Sequence, residues 1–154
     1  MNEPRPHAPK DPAFEERVRR SFARQTFMST LGARLLDVEP GRVTIELPCR
    51  QELTQQHGFV HAGAVASVVD SACGYAALSL MPAGTGVLSV EFKVNLLAPA
   101  AGERLLATGR VVKAGRTLSI CVGEVHAERE GKTTLVAMMQ ATMMAQVERD
   151  GVVD

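Results

Sequence analysis

Asp70 is the side chain in this sequence best suited to chemistry, because it is the only charged residue between positions 62 and 90. An ionised carboxylate in so apolar a stretch is costly unless it is paired or used, and Asp is a weak helix former in any case. As a working group it would activate a water molecule or attack a carbonyl directly. The alternative is an Asp held by a hydroxyl or backbone donor across a contact between subunits. Upstream lies the run Gln55-Gln56-His57-Gly58-Phe59-Val60-His61-Ala62-Gly63-Ala64, which feeds the start of a helix. The amides of Ala62, Gly63 and Ala64 fall in its first turn, without carbonyl partners and at the positive end of the helix dipole. Negative charge developing on a carbonyl oxygen is stabilised there. Taken without its neighbours, the same Gly-bearing segment is an ordinary structural turn.

Spacing constrains how these groups cooperate. Gly63 and Asp70 are seven residues apart, about 10 Å along a helix axis, and His61 and Asp70 are nine apart, which sets them on roughly opposite faces. One chain does not bring both to the same atom. A joint reaction therefore requires a second subunit whose helix packs antiparallel beside the first, giving at least a dimer with two symmetry-related sites. His57 and His61 have the i, i+4 spacing of a zinc pair, but His57 lies in the loop before the helix and no third ligand follows at a recognisable spacing. No metal is expected. The turn Lys113-Ala114-Gly115-Arg116-Thr117 offers cations and amides of the kind that bind phosphates; its plain alternative is a solvated hairpin turn. Cys49, Cys73 and Cys121 are odd in number and widely spaced, which reads as reduced thiols in an intracellular protein.

The framework for these groups is legible from periodicity. Asp11-Pro12 has the form of a helix start, and Phe14, Val18 and Phe22 then recur at helical spacing through a charged surface helix. Residues 33–38 and the alternating Val43, Ile45 and Leu47 flank the turn Glu39-Pro40-Gly41 and predict a hairpin. Residues 61–81 are apolar nearly all round, which predicts a helix enclosed on most sides. Strands follow from Gly86 onward and over 104–112, 116–127 and 133–147. In the first of them Val90, Phe92, Val94 and Leu96 alternate with Ser89, Glu91, Lys93 and Asn95. In the last, Leu135, Ala137, Met139, Ala141, Met143, Ala145 and Val147 share one face. An α+β domain with an antiparallel sheet wrapped around one long central helix satisfies this order, with an extra helix at the N-terminal side.

The 154 residues balance 17 Lys+Arg against 17 Asp+Glu, which argues against a dedicated nucleic-acid binder. They read as a single domain over 11–147, between a disordered lead-in (1–10, with Pro4, Pro6 and Pro9) and a tail at 148–154. The lead-in lacks the apolar region of a secretory signal, so the cytoplasm is the default location. Asp70 and the small residues around it argue against a membrane span over 62–90.

The string H57-G-F-V-H61-A-G-A followed by Asp70, with S89-V-E-F-K-V-N-L-L-A-P99 and K113-A-G-R-T-L118, resembles the hotdog-fold acyl-CoA thioesterases of the phenylacetate-degradation (PaaI-type) family, over about residues 30–146. The resemblance implies a sheet curled around one helix, in dimers commonly paired again into tetramers that build each site from two chains. It implies hydrolysis of an aryl- or medium-chain acyl-CoA to the free acid and coenzyme A, with Asp70 as nucleophile or general base. The amide of Ala62 in the His61-Ala62-Gly63 string would form the oxyanion hole, Gln55 would support the carbonyl, and Ser89 would lie near the nucleophilic water. Lys113, Ala114, Gly115, Arg116, Thr117 and Leu118 would meet coenzyme A, which is part of the substrate, so no separate cofactor is implied. The chain departs from the family's usual H-G-G string at Ala62, whose amide remains a donor while its methyl narrows the approach. Two rival readings are an acyl-CoA-binding module without turnover and a hotdog enoyl-CoA hydratase or dehydratase.

Overall fold

The structure is a computed structural model that describes residues 7–147, 150–152 and 154. Two short helices, α1 (Phe14–Arg24) and α2 (Thr26–Leu31), lead into the hairpin β1 (Arg34–Glu39) and β2 (Arg42–Pro48). A single 3-10 turn at Gln51–Leu53 and a loop then precede the long helix α3 (Ala62–Leu78). Four strands close the fold: β3 (Thr85–Leu96), β4 (Arg104–Ala114), β5 (Leu118–Arg129) and β6 (Lys132–Val147). All pairings are antiparallel, and the sheet runs β1-β2-β4-β5-β6-β3.

The sheet curls around α3, as its all-round apolarity requires: Val65, Val68, Val69, Ala72, Cys73, Ala76, Ala77 and Leu78 are all buried. Two glycines set how closely it lies. Gly109 and Gly123 face each other across β4 and β5. A Cβ on Gly109 would come within 2.4 Å of the Ala72 carbonyl carbon and the Cys73 nitrogen, and one on Gly123 within 2.4 Å of Val69 Cγ2. The helix backbone rests directly on the sheet at this point, and only a residue without a side chain leaves room for it.

α3 ends at Leu78, three residues short of the predicted limit, and its open carbonyls are collected from outside. The buried guanidinium of Arg17 donates to the carbonyls of Leu78 (2.7 Å), Met81 (2.8 Å) and Pro82 (2.6 Å) and pairs with Asp11 at 3.4 Å. This clamp also accounts for a correction at α1. Asp11-Pro12 does not start the helix; the Asp11 carbonyl and carboxylate accept the amides of Phe14 and Ala13, and the helix begins two residues later, at Phe14. A further difference is α2, which the periodicity did not separate from α1: Gln25 is extended (φ −79°, ψ 92°) and breaks the two apart. The segment expected as a lead-in is seated from His7 onward, with the His7 ring 3.1 Å from the Val111 carbonyl; residues 1–6 lie outside the described residues.

Two bulges re-aim side chains. In β6 the pairing with β5 passes from Ala137 to Leu135, so Val136 is turned into the core and the buried face runs Ala137, Met139, Ala141, Met143; Val147, expected on that face, is exposed. In β3 the pairing with β6 steps from Ser89 to Glu91, leaving Val90 as the extra residue. Ser89 thereby shares a face with Phe92, Val94 and Leu96 rather than with Glu91 and Lys93, a correction to simple alternation. Among the described residues no helix is long and apolar enough to cross a membrane.

Candidate active site

Asp70 sits in the middle of α3, its side chain aimed at β3. The bulge at Val90 brings Ser89 over it, and the Ser89 hydroxyl donates to Asp70 Oδ1 at 2.7 Å. Burial pushes the Asp70 carboxyl above the ordinary carboxylate range, and the Ser89 hydrogen bond partly offsets the shift. Among the described residues Asp70 has this one hydroxyl partner and no ion pair, which keeps basicity that a salt bridge would remove. Glu46, which is buried, is held instead by Arg34 at 2.5 Å and Arg104 at 3.6 Å and is structural.

The loop before α3 is folded by its own backbone. Gln55 and Phe59 close a turn (Gln55 N–H to Phe59 O, 2.8 Å), Val60 N–H reaches Ala100 O, and His61 N–H reaches Leu53 O. These bonds fix the helix entry. At the entry the expectation of three free amides is corrected to one: Gly63 N–H donates to the ring Nδ1 of His61 (2.8 Å), and Ala64 N–H to the His61 carbonyl (2.9 Å). Among the described residues the Ala62 N–H has no acceptor, so it is the one donor available to an oxyanion. His61 is therefore the N-cap of α3, a role normally taken by shorter polar side chains, which is why its type alone did not announce it. Gln55 Oε1 accepts the amide of His57, leaving the side-chain NH2 as its donor. The two histidines diverge, since the His57 ring meets Gln56 at 3.4 Å while His61 caps the helix.

These groups occupy two cavities. One, of about 310 Å³, holds Asp70 and Ser89 with Ser71, Gln25 and Tyr75. The other, of about 600 Å³, holds Gln55, His61 and Ala62 with Leu96, Leu97 and Pro99. They share no lining residue, and they adjoin opposite ends of β3. The structure thus brings Asp70 to Ser89, and Gln55 to His61 and Ala62, but does not bring the two sets together in one chain. Gly63 stands at the same helix start with its amide already used. Lys113–Leu118 are exposed and run from the end of β4 through the turn at 115–117 to the first residue of β5, closed by Gly115 N–H to Leu118 O (2.9 Å), and line neither cavity. Sequence reasoning missed Gln25 and Tyr75, whose side chains meet at 3.3 Å beside Asp70. The one sequence signal, a polar residue between two short helices, is visible only once both helices are known.

The family model of the thioesterase superfamily matches residues 57–134, a span that includes His61, Ala62, Asp70 and Ser89. The chain belongs to the thioesterase superfamily. Among solved structures it is similar to a thioesterase family protein from Silicibacter pomeroyi (53 % identity, TM-score 0.86, covering 87 % of this chain and 98 % of that one). The hotdog fold expected from the sequence is the fold observed. Curated relatives include a candidate esterase of Saccharolobus solfataricus, 31 % identical over 90 residues, which are 58 % of this chain and 64 % of that protein. The chain thus spans just under two thirds of the length of that relative. Human acyl-coenzyme A thioesterase 13 is 31 % identical over 99 residues, 64 % of this chain and 70 % of the human protein.

Proposed function

We propose that this thioesterase-superfamily protein hydrolyses acyl-coenzyme A thioesters, with Asp70 of one subunit and the Ala62 amide of another acting on the same carbonyl. The observation that carries the reading is the partition just described: a poised carboxylate and a single free helix amide, each in its own cavity, at opposite ends of the sheet's edge strand. β3 is open along that edge, and Phe92 and Leu96, on the face turned toward α3, are 48 % and 54 % exposed. Antiparallel pairing of β3 with β3 of a second copy, centred on Phe92, would set Ser89 of one chain opposite Asn95 of the other and so join each Asp70 cavity to a partner's Ala62 cavity. The same pairing covers the exposed apolar row and closes the edge.

In the composite site the thioester carbonyl accepts from Ala62 N–H and the Gln55 NH2. Asp70 takes the proton of the attacking water, or attacks the carbonyl itself, and Ser89 orients the carboxylate. As charge moves onto the carbonyl oxygen the amide interaction strengthens, and collapse expels the coenzyme A thiolate. The exposed Lys113–Leu118 turn, with Lys113 and Arg116, supplies cations for the coenzyme A phosphates. An aryl or medium-chain acyl group is the substrate class proposed.

Thiol release from a panel of aryl and straight-chain acyl-CoAs tests the reading, with wild type and Asp70→Asn compared. Wild type is expected to release coenzyme A and the variant to lose roughly 10²–10⁴-fold of that rate. No release from any thioester would sink it, and hydration of an enoyl thioester without thiol release would favour dehydratase chemistry.

A further inference from the structure

The Asp70 cavity contains a second carboxylate with no part in the reaction above. Asp154 projects into it from the tail, its side chain 18 % exposed. Its Oδ1 accepts from Ser21 Oγ at 2.5 Å and lies 3.8 Å from the Arg24 guanidinium, so it is seated on a hydroxyl and a cation supplied by α1. The tail has a prepared bed. A Cβ on Gly86, at the start of β3, would come within 2.7 Å of the Val152 carbonyl oxygen, so the strand is bare where the tail crosses it. Beside this seat runs a polar wall: Ser21 Oγ lies 3.5 Å from Tyr75 OH, Tyr75 OH donates to Gln25 Oε1 (3.3 Å) and Gln25 Nε2 donates to Ser71 Oγ (3.4 Å). All three bonds are at the long limit of hydrogen bonding, so their donors and acceptors keep capacity for a ligand.

We propose that Asp154 is a specificity-determining residue that closes the acyl end of the Asp70 cavity and selects acyl groups with an uncharged end. This rests on the thioesterase reading, which makes the space beside Asp70 the acyl pocket. Three features carry it. The cavity, about 310 Å³, is at the small end of small-molecule sites, and Asp154 is one of its walls. A substrate carboxylate reaching the far end would meet the Asp154 carboxylate, a like-charge contact in a partly desolvated place. The one cationic seat there, on Ser21 and Arg24, is already filled from within the chain. A neutral end, by contrast, meets Gln25, Ser71 and Tyr75 without repulsion. With Asp154 shortened, the like charge is removed and the Ser21 hydroxyl is released from it.

The test compares hexanoyl-CoA with adipoyl-CoA, the same chain ending in a carboxylate, in wild type, Asp154→Asn and Asp154→Ala. Binding of the matching thioethers, S-hexyl-CoA and S-(5-carboxypentyl)-CoA, is followed by calorimetry alongside kcat/KM. Wild type is expected to favour the neutral member of each pair. Asp154→Asn, which keeps the size and the Ser21 contact, should reduce that preference by about tenfold, and Asp154→Ala should reduce it further. An unchanged neutral-to-acidic ratio in both variants overturns the proposal. If no thioester is hydrolysed but the thioether ratio shifts as stated, the hydrolase reading fails while the role of Asp154 stands. If neither ratio moves, the role of Asp154 falls whatever the turnover.

Discussion

The two ends of α3 are finished in opposite ways. At the C-terminal end every exposed group is consumed: Arg17 takes the carbonyls of Leu78, Met81 and Pro82, and Ser79 Oγ donates to Ala76 O while accepting Gly41 N–H. A buried cation lies where the helix dipole is negative, which suits both. At the N-terminal end one donor is spared. The His61 ring takes Gly63 N–H, the His61 carbonyl takes Ala64 N–H, and Ala62 N–H is left facing a cavity. The same backbone physics leaves unsatisfied groups at both ends of any helix. Here one set serves to dock α1 on the core, and the other leaves a single amide without an acceptor among the described residues.

Variants that remove one finish and leave the other would break this contrast. The largest effect is expected from Ala62→Pro. Ala62 is the first helical residue and His61 before it has φ −59° and ψ 138°, so proline fits the backbone on both counts and removes only the N–H. Turnover should fall roughly 10²–10³-fold, about 2.7–4 kcal/mol of barrier, while thermal unfolding shows the fold intact. A variant with full activity would mean that another donor holds the oxyanion. Arg17→Met should do the reverse, costing roughly 2–4 kcal/mol of stability because buried carbonyls and Asp11 lose their partner. Chemical denaturation reads the loss, and kcat of the folded fraction should hold.

A smaller effect is expected from His61→Ala, which removes the cap on Gly63 N–H for about 1 kcal/mol. Asn at this position should restore most of it, as measured by denaturation midpoints. Asp70, midway between the two ends, sharpens the comparison through pH. Its carboxyl is raised by burial, so the folded chain holds this proton more tightly than the unfolded one. Between the ordinary carboxylate value and the raised one, the native state binds more protons, and Asp70 therefore lowers stability as pH rises through that window. At neutral pH Asp70→Asn is expected to unfold at a higher temperature than wild type while losing turnover, with the gain vanishing below the window. A lower melting temperature would show that the charged Asp70 is structurally paired. Activity itself should rise with pH through an apparent value above that of an ordinary carboxylate.

Some of the site was readable without coordinates because it rests on local rules. Asp70 stands out by charge in an apolar run, and the helix around it by periodicity; the loop from Gln55 to Ala64 is recognisable from its polarity and glycines. Ser89 was named from the family resemblance, but its direction was not legible, because alternation placed it with Glu91 and only the bulge at Val90 turns it onto Asp70. His61 was placed at the helix start, but its capping of α3 was not legible, since histidine is an uncommon N-cap.

The amino-acid sequence by itself determined the elements and their order, apart from the break between α1 and α2, because hydrophobic period and turn chemistry act over a few residues. It also set the distance between Asp70 and Ala62, because the rise of a helix separates them whatever surrounds them. Tertiary structure alone decided which amide at the helix start remains free, which face Ser89 takes, what neutralises the far end of α3, and that Asp154 reaches the cavity of Asp70. Each of these depends on contacts between segments distant in the chain, such as Arg17 with Leu78 or Asp154 with Ser21, and no local pattern encodes their geometry.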